Sequence, residues 1–173
     1  MLDPLHILSL IFHLLATVIW VGGLLLMTIL LLPEIQALIA ARKDDNETST
    51  LVRFLDRFRR RFYPLANLSL GVLIVTGIYQ MERSPYYDGV LGLNNDWSRA
   101  IFVKHLAVLG MVGIGAIMQF SLIPALDRAA LLRQRGKDAP ELERLRVRER
   151  HLIQLNTALG VFVLICTAAA SSL

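Results

Sequence analysis

The chain has 173 residues, a length that suits one domain, and 55% of them are apolar, with a mean hydropathy of +0.55. This composition excludes an ordinary water-soluble domain of that size. The formal net charge is +4. Because the basic residues lie beside long apolar runs, we expect them to meet the anionic lipid surface, with no nucleic acid as partner.

Four apolar runs are long enough to cross a bilayer, whose core requires roughly 20 residues. The first run has no basic residues before it and is too long for a signal peptide, so we expect it to stay in the membrane. The sequence therefore predicts an all-α fold without an internal repeat. We expect residues 1–173 to form a single domain, an integral membrane four-helix bundle with spans at about 5–32, 62–81, 98–125 and 151–172.

The basic residues predict the orientation. Segment 34–61 holds seven Lys and Arg and segment 126–150 holds eight, whereas 82–99 holds two and the termini hold none. Basic segments stay in the cytoplasm. This predicts a multi-pass protein of the cell (inner) membrane with both termini extracytoplasmic (N-out/C-out). Apolar residues at helical spacing in both basic segments predict cytoplasmic helical extensions of the second and fourth spans.

Ionisable residues within spans are the candidates for chemistry, because burying them in lipid is costly unless they are paired. On the first span, positions spaced by seven share one face, since seven residues make nearly two turns. On the third span, Lys104 and His105 are adjacent, and a methionine face continues from Lys104. The first set is His6, His13, Trp20 and Met27, and the methionines are Met111 and Met118.

The depth of each candidate residue in the membrane determines which of them can contact the same ligand. At 1.5 Å per residue, His13 lies roughly 12–15 Å below the outer surface and Lys104 and His105 roughly 9–12 Å. We expect a site in the outer half of the membrane that contains these three residues. Imidazole binds haem iron, copper or a proton. Simpler alternatives remain open: an interhelical hydrogen bond for His13, snorkelling for Lys104 and packing for the methionines.

Four stretches carry a resemblance to a known family. They are HLLATVIWVGGLLLMTILLLP, with a His-x6-Trp-x-Gly-Gly motif, then RRRFYPLANLSLGVLIVTGIYQ, WSRAIFVKH and RERHLIQLNTALG. Together they resemble the copper-resistance protein D (CopD) family of membrane proteins. The layout is also similar to the HemJ-type protoporphyrinogen oxidases, small four-helix membrane proteins of haem synthesis.

The resemblance to the HemJ-type enzymes implies a b-type haem. His13 matches the first-helix histidine that those enzymes need, Lys104 matches their third-helix lysine, and Asn156 falls where they have an asparagine. The hypothesis is a haem b-binding redox protein, active in electron transfer or in oxidation of a small substrate. His13 and His105 would be axial ligands, with Trp20 and Asn156 beside the cofactor, and Lys104 would pair with a propionate or an anionic substrate as a candidate catalytic residue.

Two further hypotheses come from other functional classes. One is copper handling or import, in which His13, His105 and the Met111 and Met118 face pass the metal inward. The other is a structural subunit of a larger membrane complex. The sequence leaves open the redox partner or small-molecule substrate and whether the protein forms a homo-oligomer.

The predicted orientation can be tested by labelling a new cysteine. We expect that Lys137→Cys, combined with Cys166→Ala, does not react with a membrane-impermeant maleimide added to intact cells, because the basic segment around it stays inside. Labelling should appear once the cells are permeabilised. Labelling in intact cells would show that the orientation is reversed.

Overall fold

The structure is a computed structural model that describes residues 3–34, 37, 45–87, 89, 92–135 and 140–172. Its elements are helical, and the described ranges contain no strand, so the all-α prediction is confirmed. In chain order they are α1 (Pro4–Leu25), π1 (Leu26–Leu31), α2 (Asp45–Glu82), α3 (Asp96–Ile117), π2 (Met118–Leu122), α4 (Ile123–Gln134) and α5 (Glu141–Ser171).

Four helical stretches are long and apolar enough to cross a membrane, as the sequence predicts. They are Pro4–Glu34, Arg60–Glu82, Asp96–Arg133 and Glu141–Ser171. Their large exposed side chains are leucine, isoleucine, valine and phenylalanine, which is the surface that lipid requires. α2 and α5 both begin well before the predicted spans, so each predicted extension is continuous with its span.

The chain divides into two compact units, Met1–Tyr87 (unit 1) and Asp88–Leu173 (unit 2). In unit 1, α1 packs against α2, and contacts such as Ser9 with Gln80 and His13 with Thr76 make the pair antiparallel. In unit 2, α3 and α4 both pack against α5. Each unit therefore has a helical hairpin at its centre.

The first helices of the two units share several features, and the absence of an internal sequence repeat stays a prediction. α1 and α3 are each 22 residues long, and each begins after a side-chain cap, from Asp3 and Asn95 respectively. Each carries a histidine as its tenth residue, His13 and His105, and each passes directly into a π-helix.

A proline follows both π-helices, although Pro64 lies within α2 and is preceded by regular α-helix. Pro33 and Pro124 each lie two residues beyond the end of a π-helix. Proline has no N–H to donate, and its ring collides with the carbonyl four residues earlier. The helix widens just before that point, and Leu32 N–H and Ile123 N–H reach back five residues, to Met27 O and Met118 O.

A glycine allows the hairpin of unit 1 to close. A Cβ placed on Gly23 would lie 2.1 Å from Phe62 Cε2 on α2, whereas a Cβ on neighbouring Gly22 would have no atom within 4 Å. The aromatic ring therefore rests directly on the α1 backbone, and only glycine leaves room for it. Small residues permit this kind of helix approach in membrane proteins.

These two glycines form a matched pair for a stability test. Gly23→Ala should destabilise the protein by about 1–3 kcal/mol because the Phe62 ring must move. Gly22→Ala should leave stability unchanged or slightly raised, since alanine favours helix. Thermal unfolding in detergent measures both variants. Equal melting temperatures for the two variants would contradict the close contact.

Candidate functional site

His13 lies half-buried in unit 1 between α1 and α2. Its Nδ1 is 2.8 Å from Thr76 Oγ1, and Thr76 Oγ1 donates its own hydrogen to Val72 O at 2.6 Å. Because a hydroxyl has one hydrogen to give, Thr76 must accept from His13. The Nδ1 atom of His13 therefore carries the proton, and the lone pair of the neutral ring is on Nε2.

His105 adopts the same tautomer in unit 2. It is exposed on α3, and its Nδ1 lies 2.7 Å from Ile101 O. A carbonyl only accepts hydrogen bonds, so Nδ1 is the donor and Nε2 carries the lone pair. A histidine whose second nitrogen donates to a fixed acceptor is the arrangement found at metal and haem ligands, where that bond orients the ring.

Lys104 and Asn156 belong to the same unit as His105. Lys104 is half-buried on α3, and Cys166 is buried on α5. Asn156 is 5% exposed, and its Oδ1 has no hydrogen-bond partner among the described residues. An unpaired amide oxygen in the core is costly. Asn156 therefore offers an acceptor to a ligand or a water.

The helix faces predicted from seven-residue spacing are directed inward. On the first span, Trp20 and Met27 are buried, and the two histidines are half-buried. On the third, Met111 is 1% exposed and Met118 4%. In contrast, His151 is exposed near the start of the apolar part of α5.

The structure adds polar partners that the sequence did not single out. Gln80 Nε2 donates to both Ser9 O and Ser9 Oγ at 3.2 Å. At the end of the hairpin, Asp3 pairs with Arg83, whose guanidinium lies 4.7 Å from the centre of the Tyr79 ring. The hydrogen bond from Leu5 N–H, helped by Arg83, lowers the pKa of Asp3. A signal was available in the sequence, since the first two spans carry Ser9 with His13 and Thr76 with Gln80 at helical spacing.

His13 and Trp20 lie in unit 1, whereas Lys104, His105 and Asn156 lie in unit 2. Each unit presents one imidazole with a defined tautomer. The prediction that these residues form one site in the outer half of the membrane stays a prediction. So does the snorkelling alternative for Lys104.

The tautomer assignment can be tested without any metal. In protein labelled with ¹⁵N-histidine, at a pH where the imidazoles are neutral, His13 and His105 should both show protonated Nδ1 and unprotonated Nε2. Thr76→Val removes the acceptor and should shift His13 toward the other tautomer. Thr17→Val is the matched control, because the Thr17 hydroxyl bonds His13 O, not the ring. An unchanged His13 spectrum in Thr76→Val would refute the assignment.

Comparison with known proteins identifies the family. No curated protein and no solved structure matches the chain. The family model described as Copper resistance protein D matches residues 56–170, more than half of the chain. The match includes Lys104, His105 and Asn156, whereas His13 precedes it. A copper-related membrane protein is what this match indicates, and the chain belongs to the copper resistance protein D (CopD) family.

Proposed function

We propose that the protein binds copper within the membrane and moves it, using imidazole nitrogen and methionine sulfur as ligands. The observation that carries the proposal is the shared tautomer of His13 and His105, each of which holds its lone pair on Nε2. Neutral imidazole with a fixed Nδ1–H is a good ligand for copper. Copper is the cargo in this proposal, so its binding must be reversible.

Buried sulfur atoms support Cu(I) as the form that is bound. Methionine and cysteine are soft ligands, and soft ligands select Cu(I). Each unit buries such atoms on a membrane helix: Met27 in unit 1, and Met111, Met118 and Cys166 in unit 2. Met111 of α3 and Met118 of π2 are one heptad apart, which spaces them by roughly 10 Å along the third span.

The types of ligand present in the described residues fit a transient copper site better than a permanent one. Within residues 3–34, 37, 45–87, 89, 92–135 and 140–172, no group of three or more His, Cys, Asp or Glu side chains could hold a metal ion. A structural zinc site needs such a group. A carrier of Cu(I) does not, since thioether sulfur and imidazole can share the ion and release it.

The copper proposal is tested by Cu(I) titration of the purified protein against a chromophoric chelator. His13→Ala and His105→Ala should each weaken binding strongly. Thr76→Val should weaken it roughly 10–100-fold by freeing the ring that it orients. His151→Ala and Thr17→Val are the controls and should bind like the native protein. Equal affinity in all five variants would overturn the proposal.

Haem b is a second candidate, and the same imidazoles favour it. Two histidines with Nε2 lone pairs make the ligand pair of a bis-imidazole haem, whose chemistry is electron transfer. Trp20 and the acceptor on Asn156 are polar or aromatic groups that could contact the cofactor. The Lys104 ammonium would offset a propionate charge. On this alternative the protein is a membrane haem-dependent oxidoreductase or electron carrier.

An absorption spectrum separates the two candidates. A Soret band in the purified protein that disappears in His13→Ala would support haem, and Lys104→Met should then weaken haem retention without changing the fold. Absence of the band together with tight Cu(I) binding supports copper.

The distribution of basic residues also supports a location. We propose that the protein lies in the inner cell membrane with both termini extracytoplasmic.

A further inference from the structure

Unit 1 contains a line of polar side chains inside a hairpin that should be apolar. On the side of α1 it comprises the capping residue Asp3 with His6, Ser9 and His13. On the side of α2 it comprises Thr76, Gln80 and, just after the helix, Arg83. We call this set the polar column. Three cross-helix contacts join its two sides: Asp3 with Arg83, Ser9 with Gln80, and His13 with Thr76. The column begins at the end of the hairpin and reaches His13 in the span.

Two buried atoms along the column have unmet hydrogen-bonding capacity. His6 Nδ1 and Tyr79 Oη are both buried and have no partner within the parts of the chain that the structure describes. Buried polar atoms of this kind are satisfied by ordered water, and in lipid the penalty for leaving them unsatisfied is higher than in a soluble protein. Both groups can accept and donate hydrogen bonds.

The spacing of the column suits water. Its members on the side of α1 follow each other at intervals of three, three and four residues, which is roughly 4.5–6 Å along the axis. That interval is too long for a direct hydrogen bond, but one bridging water spans it with two bonds of about 2.8 Å each. The side chains themselves supply donors and acceptors at each step.

On α1, the polar column ends at His13. Beyond His13 the Thr17 hydroxyl donates to His13 O. The next buried side chains of α1 are hydrophobic: Ala16, Trp20, Val21 and Leu24. On α2, Ser69 lies deeper than Thr76 and is the next buried polar side chain, at 3% exposed. Polar groups are therefore sparse beyond His13, and the column is richest in them toward the membrane face where α1 begins.

We propose that the polar column is a water path to the His13 imidazole. Water from the bulk solvent at the face where α1 begins bridges from one polar side chain of the column to the next. This inference does not depend on whether the metal is copper or haem iron, and its failure would leave the copper proposal intact.

The path is tested by water-edited solid-state NMR on protein in lipid bilayers, labelled at histidine and at the methionine methyl groups. Magnetisation from water should reach the His13 ring nearly as fast as it reaches the ring of exposed His151. It should reach the methyl group of Met27, which lies past the buried hydrophobic side chains of α1, many-fold more slowly. If His13 is as dry as Met27, the proposal is wrong.

Substitutions then distinguish a water path from interhelical packing. Gln80→Leu and His6→Phe should slow transfer to His13 several-fold, and Tyr79→Phe, which removes only the hydroxyl, should slow it less while preserving the fold. Leu5→Phe and Ile78→Leu change exposed apolar positions on the same helices and should have no effect. If the column variants lower the melting temperature but leave water transfer to His13 unchanged, the polar pairs merely hold the helices together and the path is refuted.

Discussion

The hydrogen bond between His13 Nδ1 and Thr76 Oγ1 is a cross-helix contact of unit 1 on which both packing and ring orientation depend. It joins α1 to α2 in the span, where lipid offers no alternative partner. It satisfies a ring nitrogen that would otherwise be buried at a cost. It also fixes the tautomer, and with it the atom at which the histidine can bind a metal or a proton. On the proposed function, structural support and chemistry would therefore depend on one pair of atoms, and valine at position 76 would provide neither.

The spans and their helical extensions could be predicted from the sequence because hydropathy and helical spacing are local properties. Family membership could also be predicted, since the motif-bearing stretches of the second, third and fourth spans lie within the matched residues 56–170. The partners of the candidate residues could not be predicted. Thr76 is 63 residues from His13, and nothing local indicates which threonine of the second span reaches the ring. The tautomer of His105 likewise depends on a backbone carbonyl, which has no sequence signal.

The shared features of α1 and α3 show how similar helices can hold different chemistry. In unit 1 the tenth residue of the first helix bonds across to the neighbouring helix, and polar side chains accompany it. In unit 2 the equivalent histidine bonds to its own helix, and a lysine precedes it directly. The helical caps differ in residue type but both are side-chain oxygens that accept a backbone N–H. Equivalent backbones therefore result from equivalent physical roles, with little identity of sequence.

The two π-helices are places where the chain can gain or lose one residue. A π turn holds one residue more than an α turn, so it corresponds to a single inserted residue that the helix has absorbed. Removing one residue from π1 or π2 would return that turn to α geometry, whereas an insertion elsewhere in an α-helix rotates all that follows by roughly 100°. Each of these helices thus has a position where its length can change by one residue while His13 and His105 keep their hydrogen-bond acceptors.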